Sequence, residues 1–346
     1  MPLTSGAATE ADATSGRQTV PPVVAYVLLW FPLSSETFIF REVVQLRKRG
    51  MPVFAYSMYG ENLKGCSEEM RAYDGPVGRM GVRAAGRILA AFGRALRQRP
   101  GATWKLMREG FFRRMRNLEA LGENLWCFLA GFLLAEKCRE DGVQLIHAGW
   151  ANGPATAAWV ASRVTGIPFA FTGRAGDIYP EDGLLREKSR DALFIRTNNR
   201  TNVQWLRGFC PPDAADKVHA IYNSLTFRPR GQCAMHMQPP YRLLAVGRFA
   251  RTKGFPDLLT AMARLRREKV PVTLTLVGDG NWHRKLVKLR DDLGLTQDVD
   301  MPGFIPHDQI CGFMLDHDML IMPSVVHANG DRDGIPNVIM EALSHR

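Results

Sequence analysis

Two prolines followed by an unbroken apolar run constrain this chain more than any other feature. After Pro21-Pro22, residues Val23 to Trp30 carry no charge. A strand of that kind must be covered on both faces, as the strands of a parallel sheet are. Next, PLSSET (Pro32–Thr37) offers Ser34 or Ser35 as a helix cap, and the helix runs to about Arg49. Gly50 closes it, and Pro52–Tyr56 reads as the next strand. Strand, loop, helix and strand in so short a stretch form a βαβ unit, so the expected class is α/β with a parallel sheet.

At 346 residues the chain is long for one core, and two domains are expected. Residues 1–20 are small and polar, without the basic and apolar regions of a signal peptide, and read as a disordered tail. The longest apolar runs, Val23–Leu33 and Leu125–Ala135, have eleven residues each, against the roughly 20 a membrane span requires. Six scattered cysteines (Cys66, Cys127, Cys138, Cys210, Cys233, Cys311) include no C-x-x-C pair. Free thiols fit a reducing cytosol.

Charge is uneven. Ten arginines and Lys105 lie between Arg79 and Arg116 against one acid, Glu109, which is +10 of the chain's +11. Periodicity makes 79–140 helical, with Arg79, Arg83, Arg87, Arg94 and Arg97 near one face and Ile88, Ala91, Phe92 and Ala95 near the other. The bland account is a solvated basic helix over the sheet. Interleaved Trp104, Phe111 and Phe112 favour an anionic membrane surface as partner. No recognition motif accompanies the charge, so no nucleic-acid partner is expected.

Further strands are expected at Val143–Ile146, Ile167–Phe171, Ala192–Ile195 and Val218–Tyr222. Ligands of open α/β sheets sit at strand C-termini. That rule selects His147, at the end of its strand, and Thr172, Arg174 and Asp177 in TGRAGDIY. Thr226–Pro240, with three prolines and no period, reads as a linker. From Tyr241 a second set of βα units follows, with strands Leu243–Val246, Val272–Val277, Val299–Met301 and Met319–Met322 and a helix at Pro306–Leu315. In GRFARTKGF, Arg248 and Lys253 flank a turn after a strand, with Gly247 and Gly254 permitting close backbone approach. Two such cations suit a diphosphate. DGIPNVIMEALSHR (Asp333–Arg346) then places Pro336 in the first turn of a helix whose N-terminus could seat a phosphate, with Glu341 about one turn further in. The alternative there is a capped amphipathic helix packing Val338, Ile339 and Leu343.

In order, FPLSSETFIFREVVQLRKRG, IHAGWANGPATAAWVASRVTGIPFAFTGRAGDIY, VGRFARTKGF, LVGDG, PGFIP, MPS and DGIPNVIMEAL resemble the retaining glycosyltransferases of family 4, the bacterial exopolysaccharide and colanic-acid-type members above all. The resemblance covers residues 23 to 346 and implies the GT-B fold: two Rossmann-like domains facing across a cleft, here 21–225 and 241–346, joined by 226–240. It implies sugar transfer from a nucleotide-sugar donor to a lipid-linked or polysaccharide acceptor, at the inner membrane face. Arg248 and Lys253 would hold the donor diphosphate, Asp333 would face the donor sugar, and Glu341 would face the ribose. Gly247, Gly278 and the backbone of Gly334, Ile335, Pro336 and Asn337 would complete the donor side. Glu36 and Thr37 with His147, Arg174 and Asp177 would form the acceptor side. No metal or other cofactor is expected, because protein cations do that electrostatic work.

Three positions depart from the family pattern: Asp333 replaces Glu, Gly149 stands at a second His position, and Arg174 stands where many members have His. Members also continue beyond EAL, where this chain reads Ser344-His345-Arg346. The resemblance therefore implies a second domain incomplete at its C-terminus, with low stability and activity.

Overall fold

The computed structural model describes residues 20–111, 113, 117–180, 183–223, 237–326 and 336–344. The expected tail and most of the expected linker, together with Asp333, Gly334 and Ile335, lie outside the described residues.

The first domain is built on seven strands: β1 (Val24–Leu33), β2 (Val53–Asn62), β3 (Val77–Arg79), β4 (Leu145–Ala148), β5 (Phe169–Gly173), β6 (Ile195–Thr197) and β7 (Val218–Ala220). They pair in the order β3-β2-β1-β4-β5-β6-β7, every neighbour parallel. The central strand β1 meets β2 with Val24 opposite Val53, and β4 with Val24 opposite Leu145. Its apolar run is continuous because both faces are covered. Ala25 and Val27 join the core that contains Phe128, Phe132 and Trp159, while Val24, Tyr26 and Leu28 join Ile39, Phe40 and Val43 on the other side.

Among the described residues, nine α-helices accompany this sheet: α1 (Thr37–Lys48), α2 (Glu68–Arg71), α3 (Ala85–Gln98), α4 (Pro100–Gly110), α5 (Leu118–Glu140), α6 (Gly153–Thr165), α7 (Ala175–Ile178), α8 (Leu185–Asp191) and α9 (Arg200–Arg207). Four strands form the second sheet, β8 (Tyr241–Val246), β9 (Val272–Val277), β10 (Val299–Gly303) and β11 (Met319–Leu320), in the parallel order β10-β9-β8-β11. Its helices are α10 (Phe255–Arg267), α11 (His283–Asp292), α12 (His307–Asp316) and α13 (Asn337–Leu343). Phe249, Phe255, Leu259, Met262, Leu274 and Leu276 fill its core.

Several local expectations are corrected. Neither Ser34 nor Ser35 caps α1: β1 runs on to Leu33, residues Ser34–Glu36 make a 3-10 turn, and Glu36 is the N-cap without a side-chain cap bond. The 79–140 stretch is not one helix. Arg79 belongs to β3, and Pro100 breaks the rest by forcing Arg99 out of the helical region to φ −141°, ψ 64°. The strand expected to end at His147 runs one residue further, so His147 lies inside β4, opposite Tyr26 and Ala170 on its two neighbours. The last expected strand shrinks to Met319–Leu320 at the sheet edge. Pro336 is the extended N-cap of α13, not part of its first turn.

Helix α5, at 23 residues, is long and apolar enough by length and composition to cross a membrane. Here it is a core helix pressed against α6. A Cβ on Gly131 would stand 2.6 Å from Val160 Cβ and 2.8 Å from the Ala157 carbonyl oxygen, so the close approach depends on that glycine. Gly93 on α3 has open space around it. We expect Gly131→Leu to destabilise the protein by about 1–3 kcal/mol and Gly93→Ala to stabilise it by ~0.5–1 kcal/mol. Urea denaturation of both variants measures the difference.

Candidate active site

The C-terminal ends of the two parallel sheets face one another, and the chemistry-bearing side chains collect there. From the first domain come the β1–α1 turn with Glu36, the 149–153 loop after β4, and Arg174 after β5. From the second come Gly247 and Arg248 after β8, Gly278 after β9, and the Phe304–Pro306 segment after β10. Phe304 reaches the first domain: a Cβ on Gly65 would lie 2.8 Å from its ring.

A chain of three side chains makes one polar connection between the domains. Arg41 on α1 donates to His307 Nδ1 at 3.1 Å, and His307 Nε2 lies 2.7 Å from Glu341 Oε1. A guanidinium can only donate, so Nδ1 accepts and Nε2 carries the proton given to the carboxylate. Glu341 is buried on α13, and it faces this histidine. Nearby, Asn223 Nδ2 donates to Asn337 Oδ1 at 3.2 Å, so the Asn337 side chain also joins the domains. His307 and Arg41 were missed in the sequence, although His307 opens the helix after a strand of PGFIP. The strand-end rule applied to β10 would have flagged it.

The diphosphate candidates sit at the end of β8. Arg248 is exposed, while the half-buried Lys253 lays its stem about 3.5 Å from a Cβ built on Gly247. Gly254, at φ +64°, starts α10; a Cβ there would stand 1.9 Å from the Pro323 carbonyl oxygen. Gly278, at φ +148°, would likewise meet the Gly247 carbonyl oxygen at 1.9 Å. Both glycines let the turns after neighbouring strands touch backbone to backbone, which holds Arg248 and Lys253 at the rim.

On the other wall the candidates separate. Arg174 is buried, donates to the Gly149 carbonyl, and stacks between Phe38 and Trp150 at 4.8 Å from each ring centre. Asp177 accepts from the Arg174 backbone N–H at 2.6 Å and from that of Ala151 at 2.5 Å. Burial pushes its carboxyl up to about 7, opposed by those N–H groups and by the Arg174 charge. Lys188, also missed in the sequence, is fully buried and gives its ammonium to the Ala151 carbonyl at 2.5 Å. These three residues brace the 149–153 loop from beneath.

His147 points elsewhere. Its Nε2 meets Thr172 Oγ1 at 3.0 Å, its ring packs against Tyr26 and Phe194, and burial lowers its pKa to about 4. It is a neutral histidine on the wall of a 720 Å³ groove that α1 also lines. Gly149 has little room for the histidine of the family pattern, since a Cβ there would press on Leu28 at 2.6 Å.

Of the residues expected on the acceptor side, Glu36 is the one that looks across the cleft, with Thr37 beginning α1 beside it. Burial pushes the Glu36 carboxyl up to about 7; a hydrogen bond from Trp150 and the charges of Arg174 and Arg248 pull the other way. The Arg248 charge is a contribution from the opposite domain.

The comparisons with known proteins agree with this architecture. Residues 236–346 match the family described as Glycosyl transferases group 1. Over 337 residues the chain is 25% identical to the putative colanic acid biosynthesis glycosyltransferase WcaL of Salmonella typhimurium, spanning 93% of this chain and 80% of that protein. It is 27% identical over 135 residues to the amylovoran biosynthesis glycosyltransferase AmsK of Erwinia amylovora, 39% of this chain and 33% of the relative. The solved structure of Anabaena Alr3699/HepE in complex with UDP and glucose shares the fold, with a TM-score of 0.60 over 94% of this chain and 78% of that one at 14% identity. The two facing sheets are those of a GT-B protein, and the chain is a glycosyltransferase with a group 1 domain in its second half.

A carboxyl whose folded pKa lies above its unfolded value binds its proton more tightly when folded. The stabilisation is fully present below the ordinary glutamate range, near 4.5, and is lost as pH rises through about 7. Glu36→Gln is therefore expected to gain stability relative to the native chain as pH climbs through that window. Urea midpoints measured across it provide the check; parallel curves for the two proteins would mean that Glu36 titrates normally.

Proposed function

We propose that this protein is a retaining glycosyltransferase of family 4, moving a sugar from a nucleotide-sugar donor to a lipid-linked or polysaccharide acceptor in cell-surface polysaccharide synthesis. The observation that carries the reading is the placement of Arg248 and Lys253 at one rim of the cleft, with Glu36 and the braced 149–153 loop opposite. Cations held beside a departing diphosphate stabilise the charge that develops on it, and fixed groups in a partly dry cleft do so without reorganising. Those two side chains supply the positive charge, so no divalent metal is required. The colanic-acid and amylovoran relatives support the polysaccharide assignment, and the neighbour solved with UDP and glucose supports a nucleotide-sugar donor.

The acceptor enters from the first domain, which supplies the proposed membrane contact at the inner face through residues 79–116. Val82 in the 3-10 turn before α3, Leu89 and Leu96 on α3, and Trp104 on α4 are all exposed. Arg83, Arg87 and Arg108 lie exposed among them. Exposed apolar side chains among arginines suit the interface of an anionic bilayer.

A panel of radiolabelled nucleotide sugars, incubated with membrane extract, tests the reading. Transfer from one donor is expected, unaffected by a chelator. Arg248→Ala and Lys253→Ala should each lower kcat by about 100- to 1,000-fold. The anomeric configuration of the product, read by NMR, should match that of the donor. Absence of both transfer and donor hydrolysis, with a relative active alongside, would sink the proposal. A purely binding role would instead leave the cellular phenotype intact in Arg248→Ala and Glu341→Ala, while charge reversals in 79–116 abolish it.

A further inference from the structure

A second cavity, of about 540 Å³, opens on the outside of the first domain between α3, α4, α5 and α6. We propose that it binds one anionic phospholipid of the bilayer, the phosphate at its rim and the upper acyl carbons on its floor. The site rests on the membrane-face reading above and not on sugar transfer.

The floor is apolar. Ala91, Leu106 and Phe132 are buried there, with Val164 beside them. The rim is cationic, and its charge is only partly cancelled within the protein. Arg94 makes a two-pronged pair with Glu136 at 2.8 and 2.7 Å, and Arg163 pairs with Asp191 at 3.0 Å. Arg99 and Lys105 form no ion pair among the described residues, and Arg139 meets only the Val164 carbonyl, at 2.8 Å. Three positive charges therefore border an apolar hollow whose single acidic lining residue is already engaged.

Such a hollow discriminates by charge. A phosphate with an uncharged headgroup brings one negative charge to three cations, whereas a choline headgroup adds a cation that they repel. Bare phosphate would satisfy the rim but leave the floor uncovered. The cavity also lies against the basic stretch 79–116, which supplies its lining from Ala91 to Leu106.

The test uses the full chain and soluble lipids below their micelle-forming concentration. Dihexanoyl phosphatidylglycerol is expected to raise the thermal unfolding midpoint in a saturable way, with dihexanoyl phosphatidylcholine leaving it unmoved and inorganic phosphate raising it less. Ala102→Trp, at an exposed lining position on α4, fills the cavity without changing charge and should lose the shift. The pair Arg99→Glu with Lys105→Glu should lose it too, and serves if the tryptophan lowers the starting midpoint. Co-sedimentation with vesicles of mixed phosphatidylglycerol and phosphatidylcholine should weaken in the same variants. Sugar transfer to a soluble acceptor without vesicles should be unchanged by Ala102→Trp, so a failure here is separable from a failure of the enzymatic reading. Equal response to both lipids, a matching response to inorganic phosphate, or a native-like shift in the variants would overturn the proposal.

Discussion

The chain Arg41–His307–Glu341 holds the two sheets end to end. Its members come from α1, α12 and α13, so one imidazole links a guanidinium of the first domain to a buried carboxyl of the second. A guanidinium and a carboxylate on either side leave the ring a single arrangement of its proton. The cleft that this contact closes over brings Arg248 near Glu36, and the rest of the site depends on that approach.

Behind the first-domain wall, the loop after β4 has its backbone groups satisfied by side chains from later in the chain. Asp177 takes the Ala151 N–H, Lys188 takes the Ala151 carbonyl, and Arg174 takes the Gly149 carbonyl. A loop running through the interior must find partners for such groups or lose stability for each one left over. Arg174 and Asp177 thus hold the first-domain wall of the cleft in place from below. Trp150, projecting from that loop, is the part that reaches Glu36. The basic hairpin of α3 and α4 stands apart from the cleft, on the outer surface of the same domain, with its apolar side given to α5.

Much of this architecture was legible in the residue order. A charge-free run after two prolines implied a strand covered on both faces, and β1 has a core on each side. Gly50, Gly166 and Gly254 all carry positive φ at helix boundaries, and turn chemistry of that kind is local enough to read directly. The broken helix at Arg99-Pro100 was readable too, through the restriction proline puts on its predecessor, but the surrounding periodicity outweighed it.

The order of residues alone therefore determined the α/β class, the two sets of βα units and the strand-end positions where ligand groups collect, since these follow from hydrophobic period and local backbone preference. Tertiary structure decided which of those groups share a wall. Glu36 faces the opposite domain, whereas His147 turns into a groove, Asp177 becomes a loop brace, and Glu341 meets a histidine 34 positions earlier in the chain. Such pairings depend on the angle between two sheets and the burial each side chain reaches within them, and neither is encoded in the spacing of any one segment.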